Sequence, residues 1–477
     1  MAAVASPSVR TPPRAPARGG AAAIWWPIAA CLVVAALSLL IAAQPTYDPT
    51  AWLIWGREIV HGDLATTYGP SWKPLPAVVT IPAGLLSLDA QQDVWLVVAR
   101  AGGLMAVVLA FRLARRIEGA LAGAIAVVGL VLAHSFVSHV LRGDSEGLLA
   151  AFAIGAFEAH ASGRRRLAFG LVVLTGLLRP EMLLFVGLYG LWLVWSAPPP
   201  ERTRTLLAVL AAGALIVLAW LVPEQLGSGQ LLRAASRARE PVPNSPAQAA
   251  FPFLATFTNA APVLMWPLYA GGALVVGLDL LAWRRTRRAT LALAVAAAST
   301  TIMVVVALMA QGGFTGNIRY LTVASALVCV LGGAGLERAA RLVAARLRGA
   351  VAIGLGVVVA AAVAVPALVL AGGNLHDELH DAMLETHYYD DLPAAIARAG
   401  GRDAVLRCGV PYAMAFDTQA LARDLGVHEK RVAIHPDRPG SAPGMAFVRS
   451  ASRPPSGPRW RRVATTRRWI VVASCRA

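Results

Sequence analysis

Short arginine clusters alternate with long apolar runs along this chain, and that alternation limits the folds open to it. A helix of about 20 apolar residues crosses the hydrocarbon core of a bilayer, and basic residues gather in the cytoplasmic loops between spans. The arginines at 112–116, 164–166 and 284–288 all fall in such loops if the chain makes about 11 crossings. The predicted spans are 24–43, 94–113, 120–140, 147–162, 167–178, 182–197, 205–222, 261–283, 290–310, 320–336 and 350–372.

Composition favours the same class, an α-helical polytopic membrane protein. Of the 477 residues, 57% are hydrophobic and 14% are charged, whereas soluble proteins carry about 25% charged residues. The formal net charge of +17 would suit nucleic acid, but the arginines lie between apolar runs. We therefore expect no nucleic-acid partner and a multi-pass protein of the plasma membrane, with its N-terminus in the cytoplasm.

Three regions follow from the distribution of apolar residues. Residues 1–23 are rich in Pro, Ala and Arg, which is typical of a disordered cytoplasmic tail. Residues 24–372 hold the predicted spans, and residues 373–477 have the composition of a small extracytoplasmic α/β domain. In that last region, segment 418–425 is predicted to be a helix. The predicted strands are 404–408, 431–435, 445–449 and 469–474.

The first predicted outer loop, residues 44–93, contains two apolar segments too short to cross comfortably. Segment 49–60 carries Trp52 and Trp55 and is predicted to lie as a helix on the membrane surface. Segment 75–88 is interrupted by two prolines and is predicted to be juxtamembrane or re-entrant.

Two residues of this loop are candidates for chemistry. Asp48 directly follows the first span and is a candidate general base, since a base must reach the proton of the attacking group. The alternative is a helix cap, because Asp-Pro is a good start signal for a helix. Lys73, beside Trp72 in a proline-rich turn, is a candidate for binding a lipid phosphate, whereas simple snorkelling to the headgroups is the alternative.

Other ionisable residues fall at the same predicted face of the membrane. Charged groups at the edge of apolar spans are candidates for function, although a surface ion pair or snorkelling would also account for them. These further candidates are Arg142, Asp144, Arg179, Glu181, Arg319 and Tyr320.

Cysteine and histidine positions add two weaker indications. Cys408 and Cys475 lie in the predicted extracytoplasmic domain, where a disulfide between them is allowed, although the sequence cannot show that they meet. His376 and His380 share one helix face at a spacing that can bind metal. They do not match the zinc-protease motif, so we favour a solvated helix and predict no metal site.

The order of these residues resembles the GT-C glycosyltransferases, which use polyprenyl-phosphate sugars, and especially protein O-mannosyltransferases and the lipid A aminoarabinose transferase. In those proteins an acid follows the first span, and a Lys-Pro-Pro-Leu-like stretch follows in the same loop. A second acid lies in the second outer loop, and a Leu-Thr-Lys-Gly-like break and a late Arg-Tyr come afterwards. The chain departs from them in two places: Pro49 stands where O-mannosyltransferases have a second acid, and Lys-Pro-Leu-Pro replaces Lys-Pro-Pro-Leu. The matching positions are Asp48, 73–76, Asp144, 174–181 and 319–320.

That resemblance implies a reaction. Asp48 would be the catalytic base, and Asp144 would orient the acceptor or the sugar. Lys73, together with Arg179 and Arg319, would hold the donor phosphate. The donor would be a sugar linked to polyprenyl phosphate in the lipid membrane, and that sugar would be mannose, arabinose or a related pentose or hexose. The acceptor would be a glycan, glycolipid or protein, and dependence on a divalent metal stays open.

Two other classes of function remain as alternatives. A lipid or glycan transporter would carry charged or broken helices near the middle of the bilayer, often with an internal repeat. No repeat is found, and the ionisable residues gather at one interface instead. A non-catalytic scaffold, in which the extracytoplasmic domain does the work, predicts that replacing Asp48 has no effect.

Overall fold

A computed structural model describes residues 22–241, 243–346, 350–434, 442–455 and 460–475. The predicted tail 1–23 lies almost entirely outside the described residues. Up to residue 398 the chain is built from helices, as the apolar runs predict. These are α1 (Ala22–Leu37), α2 (Tyr47–His61), α3 (Pro74–Ala83), α4 (Leu88–Ile117), α5 (Ala120–Val131), α6 (Phe136–Leu141), α7 (Glu146–Ala161), α8 (Arg165–Leu178), α9 (Leu183–Trp195), α10 (Pro199–Ser228), α11 (Arg233–Ala238), α12 (Pro252–Ala260), α13 (Trp266–Thr286), α14 (Leu291–Gln311), α15 (Thr322–Ala344) and α16 (Ala350–Arg398).

The predicted polytopic membrane protein is confirmed. In the described part of the chain, six helices are long and apolar enough to cross a membrane, namely α4, α10, α13, α14, α15 and α16. The apolar helices α1, α5 and α9 are shorter. Each predicted span coincides with a helix, except that 120–140 divides into α5 and α6 at a turn where Ser135 has a φ of 63°.

Helix α15 lies at the centre of the membrane region and packs on α13, α5, α14 and α4. The contact with α13 is so close that a Cβ on Gly335 would lie 1.7 Å from the carbonyl oxygen of Gly271. Small residues allow this approach of two backbones, a common device in membrane helix packing. By contrast, α10 stands at the edge of the bundle, since only Ile216 and Glu224 on it are buried.

The two short helices of loop 44–93 are packed inside the protein. Trp52 and Trp55 on α2 are each 1% exposed and pack with Trp95. The prediction that these tryptophans hold a helix on the membrane surface is therefore wrong, because they fill a protein core instead. A Cβ on Gly56 would lie 2.4 Å from the carbonyl oxygen of Thr80, so glycine lets α2 lie directly against α3.

Helix α16 runs through the predicted domain boundary at 372/373 and continues without a break to Arg398. Its apolar half resembles a span, and its polar half extends beyond the membrane region. After it come α17 (Gly401–Cys408), β1 (Val410–Ala413), α18 (Thr418–Leu425), β2 (Ala433–Ile434), β3 (Gly444–Arg449), β4 (Arg461–Thr465) and β5 (Trp469–Ser474).

These last elements form one small α/β domain, residues 401–475, which we call the C-terminal domain. Its sheet has the order β2-β1-β3-β5-β4, with β1 parallel to both neighbours and β3, β5 and β4 antiparallel. The predicted helix 418–425 is present as α18. Segment 404–408, predicted as a strand, lies in helix α17 instead, because Val405 and Cys408 bury one face at helical spacing.

The C-terminal domain rests on loop 44–93, so both lie at one face of the membrane region, which we call the domain face. Ile54 of α2 contributes to the core of the C-terminal domain. His428 Nδ1 lies 2.6 Å from Glu58 Oε1 of α2. Gln44 donates from Nε2 to Asp390 Oδ1 of α16 at 2.8 Å.

Candidate active site

A single guanidinium joins the two acids that the sequence singled out. Arg319 Nη2 lies 3.2 Å from Asp48 Oδ2, and its Nη1 lies 3.3 Å from Asp144 Oδ1. The capping alternative for Asp48 is wrong, because Thr46 occupies the N-cap position of α2. Asp48 stands in the first turn of that helix, where the helix dipole favours a negative charge. Its carboxylate is thus free of a capping role and points toward Arg319.

Asp144 lies behind Arg319 and is only 1% exposed. Its Oδ1 accepts a hydrogen bond from Thr46 Oγ1 at 2.7 Å, and its Oδ2 lies 2.6 Å from His139 Nδ1. Burial disfavours the charge, but Arg319 and His139 outweigh it and hold the pKa of Asp144 well below its usual range. The sequence resemblance predicts that Asp144 orients the acceptor or the sugar. In the structure its carboxylate is instead buried against Arg319, which it holds in place.

Lys73 completes the cationic side of Asp48. Its Nζ lies 3.8 Å from Asp48 Oδ2 and donates to Ser145 Oγ at 3.2 Å. The ammonium also lies 4.9 Å from the centre of the Trp52 ring, within the range of a cation–π interaction. Burial, followed by repulsion from Arg179, lowers the pKa of Lys73 to about 8. The ammonium form still predominates at neutral pH, and an incoming anion would favour it further.

Arg179 supplies a third cation. It is 5% exposed and is paired with Glu146 at the start of α7. Its Nε lies 3.9 Å from Glu181 Oε1, and its guanidinium lies 4.4 Å from the centre of the Tyr320 ring. The carboxylates hold the guanidinium in one orientation, so it can present its remaining N–H groups to an anion.

Of the remaining predicted residues, Trp72 lines the cavity and Arg142 lies outside it. Trp72 lines the cavity described below and donates from Nε1 to the Ala219 carbonyl of α10 at 3.0 Å. Arg142 is instead paired with Glu385 of α16. Its guanidinium ties the long helix to the α6–α7 turn, and it does not line the cavity, contrary to its predicted role in substrate binding.

One cavity of about 1040 Å³ connects these groups. Asp48, Lys73, Arg179, Glu181 and Arg319 lie along it, and the opposite wall is apolar. That wall is formed by α9 and α10, and Leu210 and Val217 of α10 also face outward, 58% and 54% exposed. The cavity therefore extends from an apolar wall to a cluster of charged side chains. Apolar side chains on its wall include Leu183, Val186, Val209, Leu210, Val217 and Leu221.

Cys408 and Cys475 are joined in the C-terminal domain, with their Cα atoms 4.6 Å apart. Whether this bond forms in the native protein stays a prediction, tested below. The residues that the structure describes contain no group of three or more His, Cys, Asp or Glu side chains arranged to hold a metal ion.

Several residues of the site were missed from the sequence. Glu146 and His139 lie close to Asp144 in the chain, but only the fold shows that they pair with Arg179 and Asp144. Phe416 of the C-terminal domain also lines the cavity. No sequence signal connects Phe416 with loop 44–93, since the two segments are far apart in the chain.

Comparison with known proteins supports the fold. No protein-family model and no curated protein match the sequence. The chain is similar to the crystal structure of ArnT from Cupriavidus metallidurans bound to undecaprenyl phosphate, with a TM-score of 0.55 and 14% identity over 95% of this chain and 98% of that one. The apo structure of the same ArnT gives a TM-score of 0.52 and 18% identity, over the same shares of the two chains.

A third similar structure is AglB from Archaeoglobus fulgidus, in complex with an inhibitory peptide and a dolichol-phosphate. Its TM-score is 0.49 at 12% identity, over 87% of this chain and 65% of that one, which is too low to carry an argument. At such identities the likeness to ArnT concerns the fold alone. The chain therefore shares its fold with ArnT, over nearly the whole of both chains.

Proposed function

We propose that this protein is a membrane glycosyltransferase that moves a sugar from a polyprenyl-phosphate donor to an extracytoplasmic acceptor. The observation that carries the proposal is the cavity, in which an apolar wall leads to three cations, Lys73, Arg179 and Arg319, and two carboxylates, Asp48 and Glu181. We take that wall to be open to lipid. A polyprenyl-phosphate sugar has the matching sequence of parts: a long apolar tail, a phosphate and a sugar. A soluble nucleotide-sugar would have no use for the lipid-facing wall.

The cations suit the leaving group. Lys73, Arg179 and Arg319 converge on the cavity, where they would hold the donor phosphate and stabilise the charge that it gains as the glycosidic bond breaks. Their own counterions, Glu146 and Asp144, are buried and fix the two guanidinium groups before any substrate arrives. ArnT, which shares the fold, was crystallised with undecaprenyl phosphate, and this supports a phosphate-bearing lipid as the ligand.

Asp48 is suited to act as the general base. An acceptor hydroxyl oxygen would attack the anomeric carbon and form the new glycosidic bond, while Asp48 takes the hydroxyl proton. The bond between the anomeric carbon and the phosphate oxygen breaks, and its electron pair leaves with the phosphate. The products are a glycosylated acceptor and polyprenyl phosphate. Binding donor and acceptor in one cavity supplies the required orientation.

The orientation in the membrane is part of this proposal. The N-terminus would lie in the cytoplasm and the domain face outside the cell, because the arginine clusters would then occupy cytoplasmic loops. The sugar, whether mannose, arabinose or a related one, and dependence on a divalent metal are to be determined with the same assay.

The test is release of polyprenyl phosphate from synthetic polyprenyl-phosphate mannose and arabinose by the purified protein in nanodiscs, with a cell-envelope extract supplied as the source of acceptor hydroxyl groups. Replacing a general base lowers the rate by about a hundredfold to ten-thousandfold. Asp48→Asn should therefore release polyprenyl phosphate more slowly than the wild type by that factor. Asp381→Asn, at a side chain 83% exposed on α16, is the matched control and should match the wild type. Equal rates for wild type and Asp48→Asn would refute the role of Asp48. Donor binding without any turnover would favour a lipid transporter.

A further inference from the structure

The cavity has a second polar end, outside the charged cluster around Asp48. Here the lining side chains come from the first turn of α2, from α11 and the residues after it, and from the C-terminal domain. Tyr47, Arg237, Glu240 and Phe416 belong to this end, and none of them has a part in holding the donor phosphate. The end lies on the domain face, beyond the apolar wall that α9 and α10 form.

Phe416 is an unusual feature of the C-terminal domain. It follows β1 and remains 59% exposed, outside the apolar core of that domain. Its ring meets the Tyr47 ring edge to face, with centroids 5.8 Å apart and planes at 80°. Tyr47 directly precedes Asp48, so the aromatic pair stands next to the proposed base. An exposed aromatic surface beside a carboxylate is suited to the apolar face of a sugar ring.

A solvent-accessible ion pair lies along the same end of the cavity. Arg237 Nη1 is 2.9 Å from Glu240 Oε2, and Arg237 Nε also donates to the Gly69 carbonyl at 3.1 Å. The pair presents N–H donors and carboxylate acceptors side by side, an arrangement that matches neighbouring hydroxyl groups. Because its charges cancel, the pair offers no net charge to attract an ionic ligand.

We propose that Tyr47, Phe416 and the Arg237–Glu240 ion pair form the acceptor subsite, and that the acceptor is an oligosaccharide. This inference rests on the proposed function, because it assigns the second substrate of the same cavity. In-line displacement needs the attacking hydroxyl on the side of the anomeric carbon away from the phosphate. Because Tyr47 directly precedes Asp48 and contacts Phe416, an acceptor held by this aromatic pair would lie beside the base. The C-terminal domain therefore takes part in acceptor recognition.

The experiment measures binding of short linear oligosaccharides of mannose, arabinose and glucose to the full-length protein in nanodiscs, by saturation-transfer-difference NMR. We expect at least one series to bind the wild type. Phe416→Ala should weaken that binding about tenfold, the upper range for loss of one aromatic contact, and Phe416→Trp should largely restore it. Met414→Ala is the matched control, since Met414 is 37% exposed in the same connection but does not line the cavity.

Two results would overturn the inference. One is that no oligosaccharide binds the wild type, and the other is that Phe416→Ala and Met414→Ala bind equally well. Arg237→Gln provides a second variant from another element and should also weaken binding. Binding of undecaprenyl phosphate, measured on the same samples, separates the two proposals. Lipid binding and donor turnover without oligosaccharide binding would refute only this subsite, whereas absence of donor turnover would refute the proposed glycosyltransferase itself.

Discussion

Lys73 makes the binding of a lipid phosphate depend on pH in a way that an ordinary lysine would not. Its pKa is lowered to about 8 by burial and by the neighbouring Arg179. Binding an anion favours the protonated form, so affinity should be retained below pH 8 and lost as the pH rises through that value. An unperturbed lysine, with a pKa of about 10.4, would stay charged over the whole range.

The size of the effect follows from the pKa. Between pH 7 and pH 9 the charged fraction of a group with a pKa of about 8 falls from about nine-tenths to about one-tenth. If only the ammonium form binds, affinity falls about tenfold, which corresponds to about 1.4 kcal/mol. Lys73→Arg should remove most of this dependence, because a guanidinium stays protonated at pH 9.

The assay needs a ligand whose own charge is constant. A polyprenyl-phosphate methyl diester carries one negative charge throughout this range and has no sugar. Its dissociation constant would be measured in nanodiscs from pH 7 to pH 9, using quenching of tryptophan fluorescence, for the wild type and for Lys73→Arg. A flat profile in the wild type, or an equal slope in the two proteins, would show that Lys73 does not contact the phosphate.

Three further substitutions test side chains that support the site and the C-terminal domain. Asp144→Asn removes one of the two carboxylates paired with Arg319, which keeps Asp48. It should lower the free energy of unfolding by about 1–3 kcal/mol, seen as a lower Tm in detergent, and an unchanged Tm would contradict this. Joint replacement of Cys408 and Cys475 by serine should lower the free energy of unfolding of the C-terminal domain by about 4 kcal/mol, given their sequence separation of 67 residues. Mass spectrometry without reductant would detect the disulfide itself, and free thiols at both positions would refute it. Burial, reinforced by the Glu58 carboxylate, raises the pKa of Glu429 well above its usual range, so its contribution to stability is lost as the pH rises through that pKa. Glu429→Gln should therefore raise Tm at neutral pH and flatten its pH dependence, whereas an unchanged profile would contradict this.

Most of the helices of the membrane region were predictable, because long apolar runs separated by arginine clusters indicate helices that cross a bilayer. The predicted runs 290–310 and 320–336 correspond to α14 and α15. The boundary at 372/373 was not predictable in this way. A change from apolar to polar residues shows where a chain leaves the bilayer, but it does not end a helix, and α16 continues through it.

The site was predictable only as a set of residues at one face. The resemblance to GT-C proteins singled out Asp48, Lys73 and Arg319, and these three do meet. Their contacts join segments far apart in the chain, so the sequence could not show that Arg319 bridges two acids. For the same reason Asp144 was given a substrate-binding role, although its partners bury it beneath Arg319.

Cryo-electron microscopy of the protein in nanodiscs with undecaprenyl phosphate would test the central claim most directly. The claim predicts density for the phosphate in contact with Lys73, Arg179 and Arg319, and density for the lipid tail along α9 and α10. Asp48, which lies 3.2 Å from Arg319 and 3.8 Å from Lys73, should then stand beside the bound phosphate. Phosphate density at another position, or a lipid tail that avoids the α9–α10 wall, would contradict the account.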